Sequence, residues 1–485
     1  MSNPKTIYID CTATYYSGLN TGIQRVVNNV ITRAIELSKH FDIEIIPVVA
    51  VSGGFKKHLD MPVISMPPTF QQGVRQKSFT AKQRISKFLW AASASTSKIV
   101  AFLAKTTHTF FRFLASLSRL FLKKLRYRSL RTLFSKKEDH YVLFTPDDLL
   151  LMLDAFWIFD ALNIAEKSIA SKPVVVSVIY DLIPITHPQY CDQKFVNSFA
   201  TLLPRVVKLS DGLIGISKTV QRSVENYVAH QSPDWDSKGM LDFFYLGADF
   251  KVDTLSQPEQ VPADIAALLR SNSPFFMAVG TIEPRKGYGY LFEGFEILWR
   301  RGYSHQLVIV GKVGWLCSDI LKRAKELIQL GRPLIMLHDV NDNSLDLLYK
   351  KTAAVFFPSY VEGFGLPLVE ALVRGKKVLA SDIEVFQEIG GSYVSYFKVG
   401  NPESLAQSAE EFIDTVLKSG LSTEAIAFNG AISWDASADS LIQKSINIFK
   451  KINNNKSSTH NIFMSPTTNP HQEVVFSQDT IETTQ

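Results

Sequence analysis

Phe357-Pro358-Ser359-Tyr360-Val361-Glu362-Gly363-Phe364-Gly365-Leu366-Pro367-Leu368-Val369-Glu370-Ala371-Leu372 leaves an apolar run, turns through two glycines and enters a helix near Pro367. The apolar run, Ala353–Phe357, has no period-two alternation, which suits a parallel strand buried on both faces. Proline is tolerated in the first helical turn because its missing N–H would find no intrahelical acceptor there. The reading is strand, glycine turn, helix: a βα unit of a doubly wound sheet, whose ligands collect beyond the carboxyl ends of the strands. The N–H groups of Gly365 and Leu366 would then point at an anion. Glu362 lies in the turn and Glu370 in the first helical turn, so both can edge one pocket at different depths. Carboxylates in such places accept hydrogen bonds from sugar or ribose hydroxyls. Each also fits a plainer part, Glu370 as a first-turn acid favoured by the helix dipole and Glu362 as a solvated turn residue.

The same unit recurs along the chain. Short apolar runs stand at Thr6–Ile9, Ile43–Val49, Tyr141–Phe144, Val174–Tyr180, Leu213–Ile216 and Phe243–Leu246. They continue at Phe275–Val279, Leu307–Val310, Leu334–Leu337 and Lys377–Ala380. Helical spacing fills the intervals, as in Leu291, Phe292, Phe295 and Leu298. Leu149–Phe156, headed by Asp147-Asp148, is also read as helical. Strand–helix alternation on this scale is an α/β class, and 485 residues are too many for one ordinary core. The polar, proline-bearing stretch Val252–Asp264 is the best linker. The expectation is two Rossmann-like doubly wound domains facing a cleft: an N-terminal domain over 1–255 and a C-terminal one over 265–432. A crossover helix over 433–452 and a Ser/Thr/Asn-rich disordered tail over 453–485 complete the plan.

A second motif, Gly280-Thr281-Ile282-Glu283-Pro284-Arg285-Lys286-Gly287, follows the run Phe275–Val279 and opens the next helix. Adjacent Arg and Lys at a helix N-terminus suit a diphosphate, Arg binding bidentately and Lys as a point charge. Alone, such a pair is more often a solvated surface turn. Together, GTIEPRKG and the EGFGLPLVEAL stretch closely resemble the donor signature of the family-4 retaining glycosyltransferases with the GT-B fold. Ser381–Gly391 resembles that family's next segment, with Val385 and Phe386 where a proline is commoner, and Ser433-Trp434-Asp435 resembles the start of its last helix. The resemblance implies that Arg285 and Lys286 hold a donor diphosphate and that Glu370 binds the ribose. It places Glu362 on the donor sugar, with the backbone of Phe364, Gly365 and Leu366 around the sugar and distal phosphate.

In the first half, Asp10–Arg25 (DCTATYYSGLNTGIQR) is a strand, a loop with Gly18 and Gly22, and a helix. It resembles the glycine loop of family members that build bacterial surface polysaccharides, which puts Gly22 opposite the diphosphate. Arg25 is either a cleft residue or a structural ion pair. Tyr180-Asp181-Leu182-Ile183-Pro184 resembles the family's HDLIP segment, with Tyr180 in place of a sugar-touching histidine. Asp181 and Tyr180 are therefore assigned to the cleft without a defined role, and His187 is an acceptor-side candidate or a structural residue.

The three cysteines, Cys11, Cys191 and Cys317, are scattered and without metal-ligand spacing, which argues for a reducing compartment and against a zinc site. No metal ligands and no cofactor are expected; two cations can neutralise a leaving diphosphate. The N-terminus carries no secretory signal and no window reads as a transmembrane span.

The net charge of +6 hides a strong asymmetry. Residues 75–137 contain 16 Lys or Arg and no acid; of the 52 basic residues, 36 remain elsewhere to set against 46 acidic ones. Lys98, Lys105, Arg112, Arg119 and Arg126 fall seven apart beside a wide Phe/Leu face. This basic helical insertion, 71–139, reads as an amphipathic helix on an anionic membrane surface. The alternative is a hairpin packed on the N-terminal domain; nucleic acid is not expected as a partner.

The resemblance thus implies a retaining, metal-independent enzyme, peripheral on the inner face of the cytoplasmic membrane. It would move mannose or a related deoxyhexose from a GDP donor to a lipid-linked polysaccharide such as O-antigen, beside other polysaccharide-assembly enzymes. Two alternatives stay open: a catalytically dead GT-B membrane scaffold, and a transferase acting on a soluble glucan-type acceptor.

Overall fold

The computed structural model describes residues 2–17, 22–60, 141–169, 172–236, 239–248, 261–418, 428 and 430–462. The basic insertion expected over 71–139 lies outside the described residues, as do Gly18 and most of the linker.

Two sheets organise the chain. The first is built from β1 (Thr6–Asp10), β2 (Glu44–Val51), β3 (Gly54–Lys57), β4 (Leu149–Met152), β5 (Val174–Ile179), β6 (Gly212–Gly215) and β7 (Met240–Phe243), in the order β3-β2-β1-β4-β5-β6-β7. All neighbours are parallel except β2 and β3, which form a hairpin through Ser52-Gly53. The second sheet, from β8 (Phe275–Val279), β9 (Gln306–Val310), β10 (Leu334–Leu337), β11 (Ala354–Phe357), β12 (Lys377–Ser381) and β13 (Val394–Phe397), has the order β10-β9-β8-β11-β12-β13. Its six strands are all parallel. These are the two doubly wound Rossmann-like domains expected. In each, the strand order reverses at the middle, between β1 and β4 and between β8 and β11, and the crevice at such a switch point is where ligands bind.

Several elements differ from expectation. Tyr141–Phe144 is not a strand; the strand of that region is β4, inside the stretch read as helical. Leu149, Leu150 and Leu151 are wholly buried between β1 and β5, and a short continuous apolar run does not distinguish strand from helix by period alone. Asp148 closes the turn before it, accepting hydrogen bonds from the N–H and hydroxyl of Thr145, both at 2.8 Å. β7 begins three residues before the run that suggested it, and β3 and β13 were not foreseen, both being only four residues long.

The last helix, Trp434–Ile462, runs ten residues past the expected boundary at 452. Asn and Ser are weak helix formers, but the segment has neither Gly nor Pro to break it. Its Ala438, Leu441, Ile442, Ile446 and Phe449 share one buried cluster with Ile7, Ile9 and Val176 of the first sheet. This helix therefore packs on the N-terminal domain, and Ser437 pins it by donating to the carbonyl of Tyr245 at 2.7 Å.

Candidate functional site

At the second switch point, the loops after β8 and β11 meet. Pro284–Lys286 forms one 3₁₀ turn, closed by Gly287 in the left-handed region at φ 69°, and the helix Tyr288–Arg300 follows. Gly287 is required there: a Cβ would sit 1.8 Å from the carbonyl oxygen of Pro358 in the neighbouring loop. The N–H of Tyr360 donates to the carbonyl of Arg285 at 2.8 Å, which fixes the two loops in register.

That register brings four charged side chains into contact. Arg285 donates through Nε to Glu283 at 3.1 Å and through Nη1 to Glu362 at 2.7 Å. Lys286 Nζ bonds the other oxygen of Glu362, which also accepts from the Ser359 hydroxyl at 2.8 Å. Burial opposes the charge on Glu362, yet Arg285 and Lys286 outweigh it and hold its pKa at about 2. Burial likewise works against the Arg285 cation, but Glu362, Glu283 and Asp181 overcome it and raise its pKa. Lys286 is lowered by burial, with the attraction of Glu362 opposing and the repulsion of Arg285 adding. Burial raises both Glu283 and Asp181.

Asp181 comes from the other domain, just beyond β5, where its Oδ1 accepts from the N–H of Ile183 at 3.0 Å. The charges of Arg285 and Glu362 act on it across the cleft. Nearby, Gly363 makes a close approach that no side chain would permit: a Cβ would stand 2.3 Å from the carbonyl oxygen of Tyr180.

Glu370 forms a second centre. It lies buried in the helix Leu366–Val373, accepts from Arg25 Nη1 at 3.0 Å and from the Tyr349 hydroxyl at 3.4 Å. Arg25 sits on the helix that Gly22 opens, Gly22–Ile31, so the N-terminal domain reaches the Glu370 carboxylate directly. Tyr180 turns its side chain elsewhere, and Phe364, expected to offer only its backbone, buries its ring. The ring of Tyr180 lies in the N-terminal core with its hydroxyl on the carbonyl of Leu153 at 2.9 Å, leaving only its backbone at the cleft. Phe364 is buried in the same core cluster, its ring 6.2 Å from that of Tyr245. Among the described residues, no group of three or more His, Cys, Asp or Glu stands in metal-ligating arrangement, and no helix is long and apolar enough to cross a membrane.

Residues 262–420 match the family described as glycosyl transferases group 1. This segment is similar to that family over its whole length. The serotype-specific mannosyltransferase WbdA of Escherichia coli is 32% identical over 282 residues, 57% of this chain and 34% of that protein. The O-antigen chain mannosyltransferase RfbU of Salmonella typhimurium is 26% identical over 241 residues, 49% of this chain and 61% of that protein. The chain thus spans about a third of the length of WbdA and under two thirds of RfbU. The sucrose-phosphate synthase of Thermosynechococcus elongatus superposes with a TM-score of 0.53 at 16% identity, covering 92% of this chain and 100% of that one. At that identity the likeness speaks for the fold alone, the two-domain GT-B arrangement.

Several residues around these loops went unrecognised in the sequence. Glu283 lies inside the GTIEPRKG motif and orients the Arg285 guanidinium. Glu388 reaches across to the helix Lys218–Gln231 and accepts from the N–H of Lys218 at 2.7 Å, the N–H of Thr219 at 2.8 Å and its hydroxyl at 2.6 Å. A carboxylate at a helix N-terminus satisfies N–H groups that have no intrahelical acceptor. Ser217 caps that helix and donates to the carbonyl of Gly363 at 2.8 Å. A capping serine is visible in a sequence; its partner 146 residues away is not.

Proposed function

We propose that the chain is a retaining glycosyltransferase. It moves a hexose, mannose or a related deoxyhexose, from a GDP-linked donor to a growing lipid-linked polysaccharide such as O-antigen. The observation that carries this reading is the convergence of Arg285 and Lys286 on Glu362 at the switch point of a group 1 glycosyl transferase domain. Two part-buried cations there favour the charge that develops on a departing diphosphate, the position where preorganised electrostatics lowers a barrier most. Glu362 is then exchanged from the cations to the sugar hydroxyls, Glu370 from Arg25 to the ribose, and the leaving phosphate guides attack on the same face of the sugar. The names of the mannosyltransferases similar to this chain support the sugar and the acceptor class. The chemistry asks for no cofactor and no metal.

In this reading the enzyme works at the inner face of the cytoplasmic membrane, alongside other polysaccharide-assembly enzymes. The 16 basic and no acidic residues of 75–137 support attraction to anionic lipid. A panel of GDP-, UDP- and dTDP-sugars, assayed by release of nucleoside diphosphate, tests the donor. Arg285→Ala should cut turnover by about 10²-fold, and EDTA should leave the wild type active. Activity lost in EDTA and restored by Mg²⁺ would refute the two-cation mechanism.

A further inference from the structure

The loop Gly311–Cys317, between β9 and the helix Ser318–Gln329, has no part in the donor chemistry described so far, yet it is fastened to it. The N–H of Ile282 donates to the carbonyl of Lys312 at 2.8 Å and the N–H of Gly314 to the carbonyl of Ile282 at 3.0 Å. A Cβ on Gly314 would meet Glu283 Cγ at 2.9 Å. Whatever this loop holds is therefore kept in register with Glu283, Arg285 and Lys286.

Three large apolar side chains in four consecutive positions face outward on it: Val313 is 51% exposed, Trp315 38% and Leu316 54%. Scattered exposed apolar residues need no explanation, but a cluster at the mouth of a cleft does. Leu316 also adopts φ 49°, a left-handed conformation that a leucine takes at some cost. The indole N–H of Trp315 is already satisfied, donating across the cleft to the carbonyl of Tyr190 at 2.9 Å. That bond fixes the ring, the Phe195 ring lies 6.3 Å from it, and the part of the indole that stays exposed is apolar.

The aromatic surface continues inward. Tyr190 of the N-terminal domain stacks on Tyr360 of the C-terminal domain, centroids 5.2 Å apart and planes 19° from parallel. His187 stacks behind Tyr190 at 6.2 Å, and burial lowers its pKa, so the series is uncharged at neutral pH. Tyr360 is two residues from Glu362. Trp315 is thus bonded to one member of a stack whose other member sits on the loop that carries Glu362. Exposed Gln189, Asp192 and Lys312 flank it in sequence.

Rings without charge, edged by a few polar groups, are the wrong surface for a diphosphate. They suit a pyranose, which offers an apolar C–H face to an aromatic ring and hydroxyls to the rim. We propose that the exposed part of Trp315, held against the backbone of Tyr190, forms a subsite for a sugar unit of the acceptor glycan. The proposal deepens the function argued above and rests on it for the identity of the glycan.

The experiment uses the full chain, with the soluble glycan mannotetraose as probe, and compares wild type, Trp315→Ala and Trp315→Phe. Titration should quench wild-type tryptophan fluorescence, and Trp315→Phe should abolish that quench. The KM for mannotetraose should rise about tenfold in Trp315→Ala, as expected for one lost aromatic contact, and return close to the wild-type value in Trp315→Phe. Calorimetry should find nucleoside diphosphate affinity the same in all three. An unchanged acceptor KM, or no quench, overturns the proposal. So does a loss confined to a lipid-linked acceptor, which would make Trp315 a lipid contact, or an equal loss of nucleoside diphosphate affinity, which would make it packing between domains. A persisting quench in a protein that releases no nucleoside diphosphate from any donor would keep the subsite and refute the transferase.

Discussion

Replacing Glu362 by Gln should destabilise the protein and make it depend on an added anion. Glu362 is 8% exposed and neutralises Arg285 and Lys286, themselves 19% and 12% exposed. Its pKa is held at about 2 against an ordinary 4.5, by the two cations acting against burial. A depression of that size is worth roughly 3 kcal/mol at neutral pH, within the range of about 3–5 kcal/mol for breaking one side of a buried ion pair. For a domain of this size the melting transition should fall by roughly 10 °C. The sign with pH follows from the depressed value: the stabilisation is present above about pH 4.5 and is lost as pH falls towards 2. Wild type and variant should therefore differ most at pH 7 and converge by about pH 2. Inorganic pyrophosphate should raise the melting temperature of the variant more than that of the wild type, because it supplies the negative charge that the neutral amide lacks. Differential scanning calorimetry at about pH 7 and about pH 2, with and without pyrophosphate, reads all three effects. A variant that melts with the wild type at neutral pH, or a wild type better protected by pyrophosphate than the variant, would refute the reasoning.

Two further predictions concern residues that shape the loops. Asp10, buried beside Asp154, has its pKa raised by burial first and by that neighbouring charge second, to about 7. Its folded value lies above the unfolded 3.8, so its contribution is full below about pH 4 and is lost as pH rises through 7. Asp10→Asn keeps an acceptor for the N–H of Thr12 and should gain on the wild type between about pH 5 and pH 8, by up to on the order of 4 kcal/mol; parallel urea-unfolding curves at the two pH values would contradict this. Gly287→Ala forces a Cβ against the Pro358 carbonyl at a left-handed φ. It should cost at least about 1 kcal/mol from the backbone alone and abolish nucleoside diphosphate binding by parting the two loops, which urea unfolding and calorimetry measure separately.

The βα alternation and both loop motifs are local patterns, set by residues close together in the chain, and they were legible without a structure. So was the chemical character of the site, because Arg285, Lys286, Glu362 and Glu370 announce themselves by type and spacing. Their pairing was not. Arg285 and Glu362 are 77 positions apart, and they meet only because β8 and β11 are neighbours at the reversal of the strand order. The Arg25–Glu370 contact spans 345 positions and depends on how one domain faces the other. Leu149–Leu151 is apolar throughout, so its period could not separate strand from helix; pairing on both sides with β1 and β5 decided it. Tyr180 stands next to Asp181, yet its ring fills the core and only the aspartate feels Arg285, since successive side chains leaving a strand point to opposite sides. Residue type and local period carry the elements and their chemistry, whereas the partner of each buried charge is chosen by strand order and domain contact, which no single stretch of chain encodes.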